Sequence, residues 1–369
     1  MKKNILFVHS GDSWLRGSEK VLIDIIDGLD FDKYNPILLC QDHAELLANE
    51  FRKRNLLCYQ YPLASLMLYG GKNPLAFIKT VVKICSLVRK HKIDLIHTTS
   101  GLSNQYCLPA GKLCNVPVVA HIQGRYLRSS RASSLINYAD HVISVSRTNL
   151  EDYNVSPERS KVIYNGVDIS AFSPSNEEKD SVRNELGIQP GEKVVASVGS
   201  LIERKRPDLF LRIAKKVLSK CPNTKWVWVG DGPLKGMVSS LVDELGIDDN
   251  VILLGERKDV SRLLKGFDLF LLTSSAEALP LSLLEASSTG LPIVATRSDG
   301  NTEIVDEGLT GYLADVNDFD AYCDGCRKLL CDPHLLDEFS KNTRRRCEEM
   351  FSMEHFNKEM NEFYDSIFG

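Results

Sequence analysis

The sequence predicts two α/β domains, each built on a mostly parallel sheet. Three observations lead to that class. At 369 residues the chain exceeds what one hydrophobic core usually fills, so two domains of about 150 to 200 residues are expected. Short β-rich runs alternate with helical patterns along its whole length, which is the rhythm of βαβ units. That rhythm breaks once, after Asn165-Gly166-Val167-Asp168, at the polar stretch SPSNEEKDS, and then restarts.

Taken in order, the first half offers strands at 5–9, 36–41, 93–98, 116–121, 141–145 and 161–164. The second offers 194–199, 225–230, 251–254, 269–273 and 292–296. Open sheets of this kind place ligands beyond the carboxyl ends of their strands, so a cleft between the two domains is the expected site. A content of 43% hydrophobic and 25% charged residues is that of an ordinary globular protein and excludes a disordered or fibrous one.

No uninterrupted apolar run is long enough to cross a bilayer, and the start MKKNILFVHSGDSW lacks the pattern of a signal peptide. With ten scattered cysteines, this points to a reducing cytoplasm. Cys323 and Cys326 form a C-x-x-C with Cys331 and Cys347 downstream, but they fall in a predicted helix without a second close pair. Buried or idle thiols are therefore expected there, and no metal site.

The net charge of −4 conceals a division. Residues 1–165 hold 21 Lys and Arg against 14 Asp and Glu, whereas the remainder is acidic. Between Glu50 and Asp140 the only acid is Asp94, so the first half should present a positive surface to an anionic partner such as a phospholipid, a phosphorylated substrate or a nucleic acid. Within it, LAFIKTVVKICSLVRKH reads as a basic amphipathic helix with Lys79, Lys83 and Lys90 near one face. Its apolar residues Phe77, Val81, Ile84 and Val88 suit either an anionic bilayer or the sheet of the same domain. The loops 66–72 and 124–131, the latter with Arg125, Arg128 and Arg131, are candidates for an anionic acceptor.

Three segments bear on chemistry. After the first strand, HSGDSWLRGSEK brackets a loop between Gly11 and Gly17 ahead of a helix, where open backbone N–H groups can hold a phosphate. It matches neither the P-loop nor the dinucleotide fingerprint. In the second half, SVGSLIERKRPDLFL puts Arg204, Lys205 and Arg206 between a strand and a helix, where cations can neutralise a diphosphate. SSAEALPLSLLEASSTGLPIVAT sets Glu277 in a loop and Glu285 in the following helix, so that both carboxylates can approach one pocket and accept bonds from ribose or sugar hydroxyls.

The combination of GSEK, VIYNGVD, GSLIERKRPDL and EALPLSLLEA followed by GLPIVAT resembles the retaining glycosyltransferases of family 4, which have the GT-B fold. The resemblance spans nearly the whole chain in order. It implies two Rossmann-like domains facing a central cleft, residues 1–168 on the acceptor side and 169–350 binding the nucleotide-sugar, with a helix at 351–369 crossing back to the first domain.

It further implies that Glu285 holds the ribose, that Glu277 sits by the donor sugar and that Lys205 binds the diphosphate. Ser200 stands where many members have an arginine, and Arg204 is the candidate replacement. Gly255 to Lys258, including Arg257, resembles the segment contacting the base largely by backbone, and Asp299, Gly300 and Asn301 the loop presenting amides to sugar and phosphate. Gly17 matches the glycine loop facing the diphosphate, and His121 a histidine beside the reacting sugar.

The implied donor is a UDP- or GDP-linked sugar, with no metal or other cofactor. The implied acceptor is a saccharide or lipid-linked saccharide, in polysaccharide, lipopolysaccharide or glycolipid synthesis. Nucleic acid is not among the implied partners. The expected location is cytoplasmic, with peripheral contact at the inner membrane face through the basic domain. The competing readings are a GT-B sugar-nucleotide epimerase, which needs no acceptor, and a non-catalytic module that binds anionic membranes or polyanions.

Overall fold

The computed structural model describes residues 2–11, 13–64, 73–124 and 135–369. Its contacts divide the chain into two units, one formed by Met1–Asn165 with Phe356–Gly369 and the other by Gly166–His355. The acceptor-side loops 66–72 and 125–131 lie outside the described residues.

The first unit holds seven strands: β1 (Lys3–His9), β2 (Tyr34–Cys40), β3 (Leu57–Gln60), β4 (Leu95–Thr98), β5 (Val118–Ile122), β6 (His141–Ser144) and β7 (Ser160–Val162). They form one sheet in the order β3-β2-β1-β4-β5-β6-β7, and every pairing is parallel. The central strands are continuous buried runs such as Ile5 to Val8, as strands covered on both faces must be. Strand order reverses between β1 and β4, and the ends of those two strands therefore flank a crevice.

The helix Pro74–His91 begins with Asn73 accepting from the Ala76 N–H at 3.0 Å and with proline in its first turn. Val81, Ile84 and Val88 are buried against Leu6, Val8, Ile37 and Ile96, with Phe77 partly buried beside them. Of the two uses the sequence leaves open for this face, the domain's own sheet takes it. What the helix turns outward is a second stripe, Leu75, Ile78 and Val82, each more than half exposed.

The second unit has β8 (Lys193–Val198), β9 (Thr224–Val229), β10 (Val251–Gly255), β11 (Leu269–Leu272), β12 (Ile293–Thr296) and β13 (Gly311–Ala314), in the order β10-β9-β8-β11-β12-β13. These pairings are also parallel. The order reverses between β8 and β11. Trp226, Trp228 and Phe210 pack edge to face at the centre of its core. Cys323 and Cys326 are buried in this core on the helix Phe319–Cys331. Among the described residues no group of three or more His, Cys, Asp or Glu is placed to hold a metal.

Both unit boundaries differ by a few residues from 168 and 350. Val167 pairs with Ser352, and its N–H donates to the Phe351 carbonyl at 2.8 Å, which ties the junction to the second unit. The terminal helix Met353–Phe368 joins the first unit from Phe356 onward. There the Asn361 amide donates to the Gly28 carbonyl at 2.8 Å, the Tyr34 hydroxyl donates to Asp365 at 2.5 Å, and Tyr364 is fully buried. Among the described residues no helix is long and apolar enough to cross a membrane.

Candidate donor site

The candidate residues of the second unit lie at or beyond the carboxyl ends of β8, β10, β11 and β12, and the segments after β8 and β11 flank the reversal point. After β8 the chain forms a 3-10 turn, Glu203–Lys205, and Arg206 adopts a left-handed conformation (φ 50°) before Pro207 opens the helix Pro207–Leu218. After β11, Thr273 and Ser275 tie this turn down. The Thr273 hydroxyl donates to the carbonyls of Lys205 (2.9 Å) and Arg206 (3.0 Å), and the Ser275 N–H donates to the Arg204 carbonyl (2.8 Å).

That bracing brings three predicted residues together. Lys205 Nζ lies 2.6 Å from Glu277 Oε1, and Arg204 Nη1 lies 2.8 Å from the same oxygen. Glu277 is 8% exposed. Burial alone would raise its carboxyl, but Lys205 and Arg204 outweigh burial and hold it below the ordinary carboxylate range. The site is therefore a charged carboxylate under two cations, with a net positive charge available to an anion.

The loop from Asp299 to Asn301 packs directly against the segment after Glu277. A Cβ at Gly300 would stand 1.7 Å from the Ala278 carbonyl oxygen, so only glycine allows the two backbones this close. Asn301 is wholly buried, and its amide donates to the Thr296 carbonyl at 3.0 Å, which makes it a brace for the loop. Asp299 has a positive φ of 31°. Glu285 lies half-buried on the helix Leu281–Ser288, about one turn into it and eight residues beyond Glu277 in the chain.

On the other side of β8, the Gly255 carbonyl accepts from the Gly230 N–H at 2.8 Å and closes β10 onto β9. Arg257 does not join Arg204 and Lys205. Its guanidinium is held by Asp259 at 2.8 Å and Glu185 at 3.1 Å.

Gly17 and His121 belong to the first unit. Gly17 is the first residue of the helix Gly17–Asp27, is exposed, and has open space where a Cβ would stand. His121, near the end of β5, is buried; burial pushes its pKa down to about 3, so the ring is neutral at physiological pH.

Sequence reasoning missed two buried polar chains in the same unit. At the β1/β4 reversal, His9 Nδ1 lies 2.7 Å from the Thr99 hydroxyl, and His9 Nε2 lies 2.8 Å from Glu19 Oε1, all buried. Glu19 Oε2 in turn accepts from the Arg16 N–H at 3.1 Å and fixes the entry to the helix. A second chain links Tyr364, His97 and His121. The signal was present: β1, β4 and β5 each carry a histidine in their last two residues.

Two family models match the chain, "Glycosyltransferase Family 4" over residues 15–171 and "Glycosyl transferases group 1" over residues 178–346. Among curated relatives, the Escherichia coli UDP-Gal:α-D-GlcNAc-diphosphoundecaprenol α-1,3-galactosyltransferase is 28% identical over 340 residues, 84% of this chain and 88% of the relative. The Bacillus anthracis N-acetyl-α-D-glucosaminyl L-malate synthase is 25% identical over 333 residues, 86% and 84% of the two chains. Among solved structures, Anabaena Alr3699/HepE in complex with UDP superposes with a TM-score of 0.86 at 21% identity, covering 99% of this chain and 100% of that one.

Fold and matches together define a glycosyltransferase with the GT-B architecture, an enzyme of the glycosyl-transferring class. The chain belongs to glycosyltransferase family 4.

Proposed function

We propose that the protein moves a sugar from a UDP- or GDP-linked donor to an acceptor hydroxyl with retention of anomeric configuration, and that its second unit holds the donor. The observation that carries this reading is the buried Glu277 beneath Lys205 and Arg204 at the reversal point of its sheet. As the glycosyl bond breaks, negative charge grows on the leaving diphosphate. Cations already fixed in place by the Thr273 and Ser275 bonds stabilise that charge without reorganising. Glu277, kept ionised, orients sugar hydroxyls by accepting their protons in hydrogen bonds, and Glu285 does the same for the ribose. The Gly255 to Lys258 backbone receives the base, and Asp299, Gly300 and Asn301 present amides to sugar and phosphate. Gly17 is assigned the approach to the diphosphate, and His121 a hydrogen bond to the transferred sugar. A metal ion is not required in this scheme.

The relatives support the substrate class. The E. coli transferase is named for a UDP-galactose donor and a lipid-diphosphate acceptor, and HepE was crystallised with UDP and with UDP-glucose. We take the acceptor here to be a saccharide or lipid-linked saccharide of surface polysaccharide, lipopolysaccharide or glycolipid synthesis. Work on such an acceptor suits peripheral contact with the inner membrane face. The outward stripe Leu75, Ile78 and Val82, flanked by Lys79, supports that contact.

Calorimetric titration with UDP and GDP, followed by turnover assays with the matching nucleotide-sugars, tests the donor assignment. Binding should weaken in Glu285→Ala, and no binding of either nucleotide would refute the reading. Conversion of a nucleotide-sugar to its epimer without any acceptor would favour the epimerase instead. Replacing Lys79, Lys83 and Lys90 by glutamate should reduce co-sedimentation with anionic liposomes while nucleotide affinity stays unchanged; unaltered sedimentation would remove this helix as the docking face.

A further inference from the structure

We propose that Tyr364 and His97 form a proton-ordering relay that fixes His121 with its hydrogen on Nε2, making that ring a hydrogen-bond donor and not a base. The Tyr364 hydroxyl lies 2.7 Å from His97 Nδ1, and His97 Nε2 lies 3.3 Å from His121 Nδ1. All three side chains are buried, at 1% exposure or less.

Hydrogen counting gives the direction. Both imidazoles are kept neutral by burial, so each carries one ring hydrogen. Burial also raises the Tyr364 phenol well above its ordinary value, so its O–H is retained. Among the described residues its one hydrogen-bond partner is His97 Nδ1, and leaving a buried O–H undonated is costly. The hydroxyl therefore donates to Nδ1, which puts the His97 hydrogen on Nε2. From there it donates to His121 Nδ1, which leaves the His121 hydrogen on Nε2.

The far nitrogen has a distinct status. His121 Nε2 is buried and, among the described residues, has no hydrogen-bond partner. A donor without a partner among the described residues is one that a ligand oxygen can complete. Resting on the proposed function, that oxygen is a hydroxyl of the transferred sugar. Tyr364 and His97 are then positioning residues, acting on the ligand only through His121.

Histidine labelled with ¹⁵N in the full-length protein, observed by long-range ¹H–¹⁵N correlation without ligand, reads the tautomer directly. The wild type should show His97 and His121 protonated at Nε2. In Tyr364→Phe, which removes only the hydroxyl, the His97 and His121 patterns should shift toward the other tautomer while melting remains cooperative. The donor KM of that variant should rise on the order of fivefold to tenfold, the worth of one uncharged hydrogen bond, with a smaller change in kcat. His97→Gln, whose amide N–H can take the place of Nε2–H, should retain the wild-type KM, whereas His97→Leu should not. His121 protonated at Nδ1 in the wild type, or an unchanged tautomer in Tyr364→Phe, would overturn the relay. Loss of the glycosyltransferase reading would register separately, as absent donor turnover in a wild type whose tautomers are as stated.

Discussion

Acidification should weaken the first unit, and His121 provides the magnitude. Its pKa is about 3 in the folded protein against 6.5 for the ordinary ring, so between those values the unfolded chain binds the proton and the folded chain does not. The stabilising contribution is complete above pH 6.5 and is lost as the pH falls toward 3. At pH 5 the gap of 1.5 units below 6.5 corresponds to about 2 kcal/mol from this one residue. His97, lowered well below its ordinary value by burial and by His121, acts in the same direction. Native-state hydrogen exchange of the β5 amides at pH 7.5 and 5.0, corrected for intrinsic rates, reads the local opening free energy. His121→Gln should show a shallower pH dependence, by about 2 kcal/mol over that interval. Equal slopes in wild type and variant would mean that the ring is solvated or protonated in the folded state, and the reasoning would fail.

Other expectations concern the second unit and the glycine loop. Lys205→Ala should lower kcat/KM by about 10²-fold through lost diphosphate stabilisation, measured with a saturating acceptor. Gly300→Ala forces a Cβ onto the Ala278 carbonyl and should cost about 1–3 kcal/mol in chemical denaturation, whereas Gly17→Ala, meeting no atom within 4 Å, should leave stability unchanged. Asp268 is buried against Lys179 and Arg183, both at 3.0 Å. Burial raises its carboxyl and these cations more than offset that, so the net value is below 3.8. Its contribution is present above pH 3.8 and is lost as the pH falls through the depressed folded value. Asp268→Asn should destabilise by about 3 kcal/mol in urea titration at pH 7, leaving Lys179, Arg183 and Lys193 facing a neutral amide.

What could be seen in the sequence follows from how each element is covered. The central strands β1, β8, β11 and β12 stood out because a strand buried on both faces is an unbroken apolar run. The edge strands β3 and β13 did not. The first is four residues with Leu57 half exposed, and the second opens with Gly311, where a Cβ would sit 2.1 Å from the Ile293 carbonyl oxygen. A glycine demanded by sheet contact looks like a strand breaker in one dimension. Composition showed the basic character of the first half, but not which face of the helix Pro74–His91 its own core would claim.

The candidate site divides similarly. Arg204, Lys205 and Glu277 were legible one by one from their strand-loop-helix settings, while their 2.6 and 2.8 Å contacts span more than 70 residues of chain and needed the fold. The role of Arg257 was hidden for the same reason, since Glu185 lies 72 residues away. Tyr364 sits 267 residues from His97, and nothing local in NEFYDSIF announces a buried hydroxyl on an imidazole.

The return of residues 356–369 to the first unit also sets an order of assembly. During synthesis the stretch from Gly166 to His355 is contiguous and can complete its own core as it emerges, but the sheet translated before it lacks Asn361, Tyr364 and Asp365 until residues 356–369 have been made. The first unit is thus completed only after the whole of the second has been translated, although most of its own chain is made first.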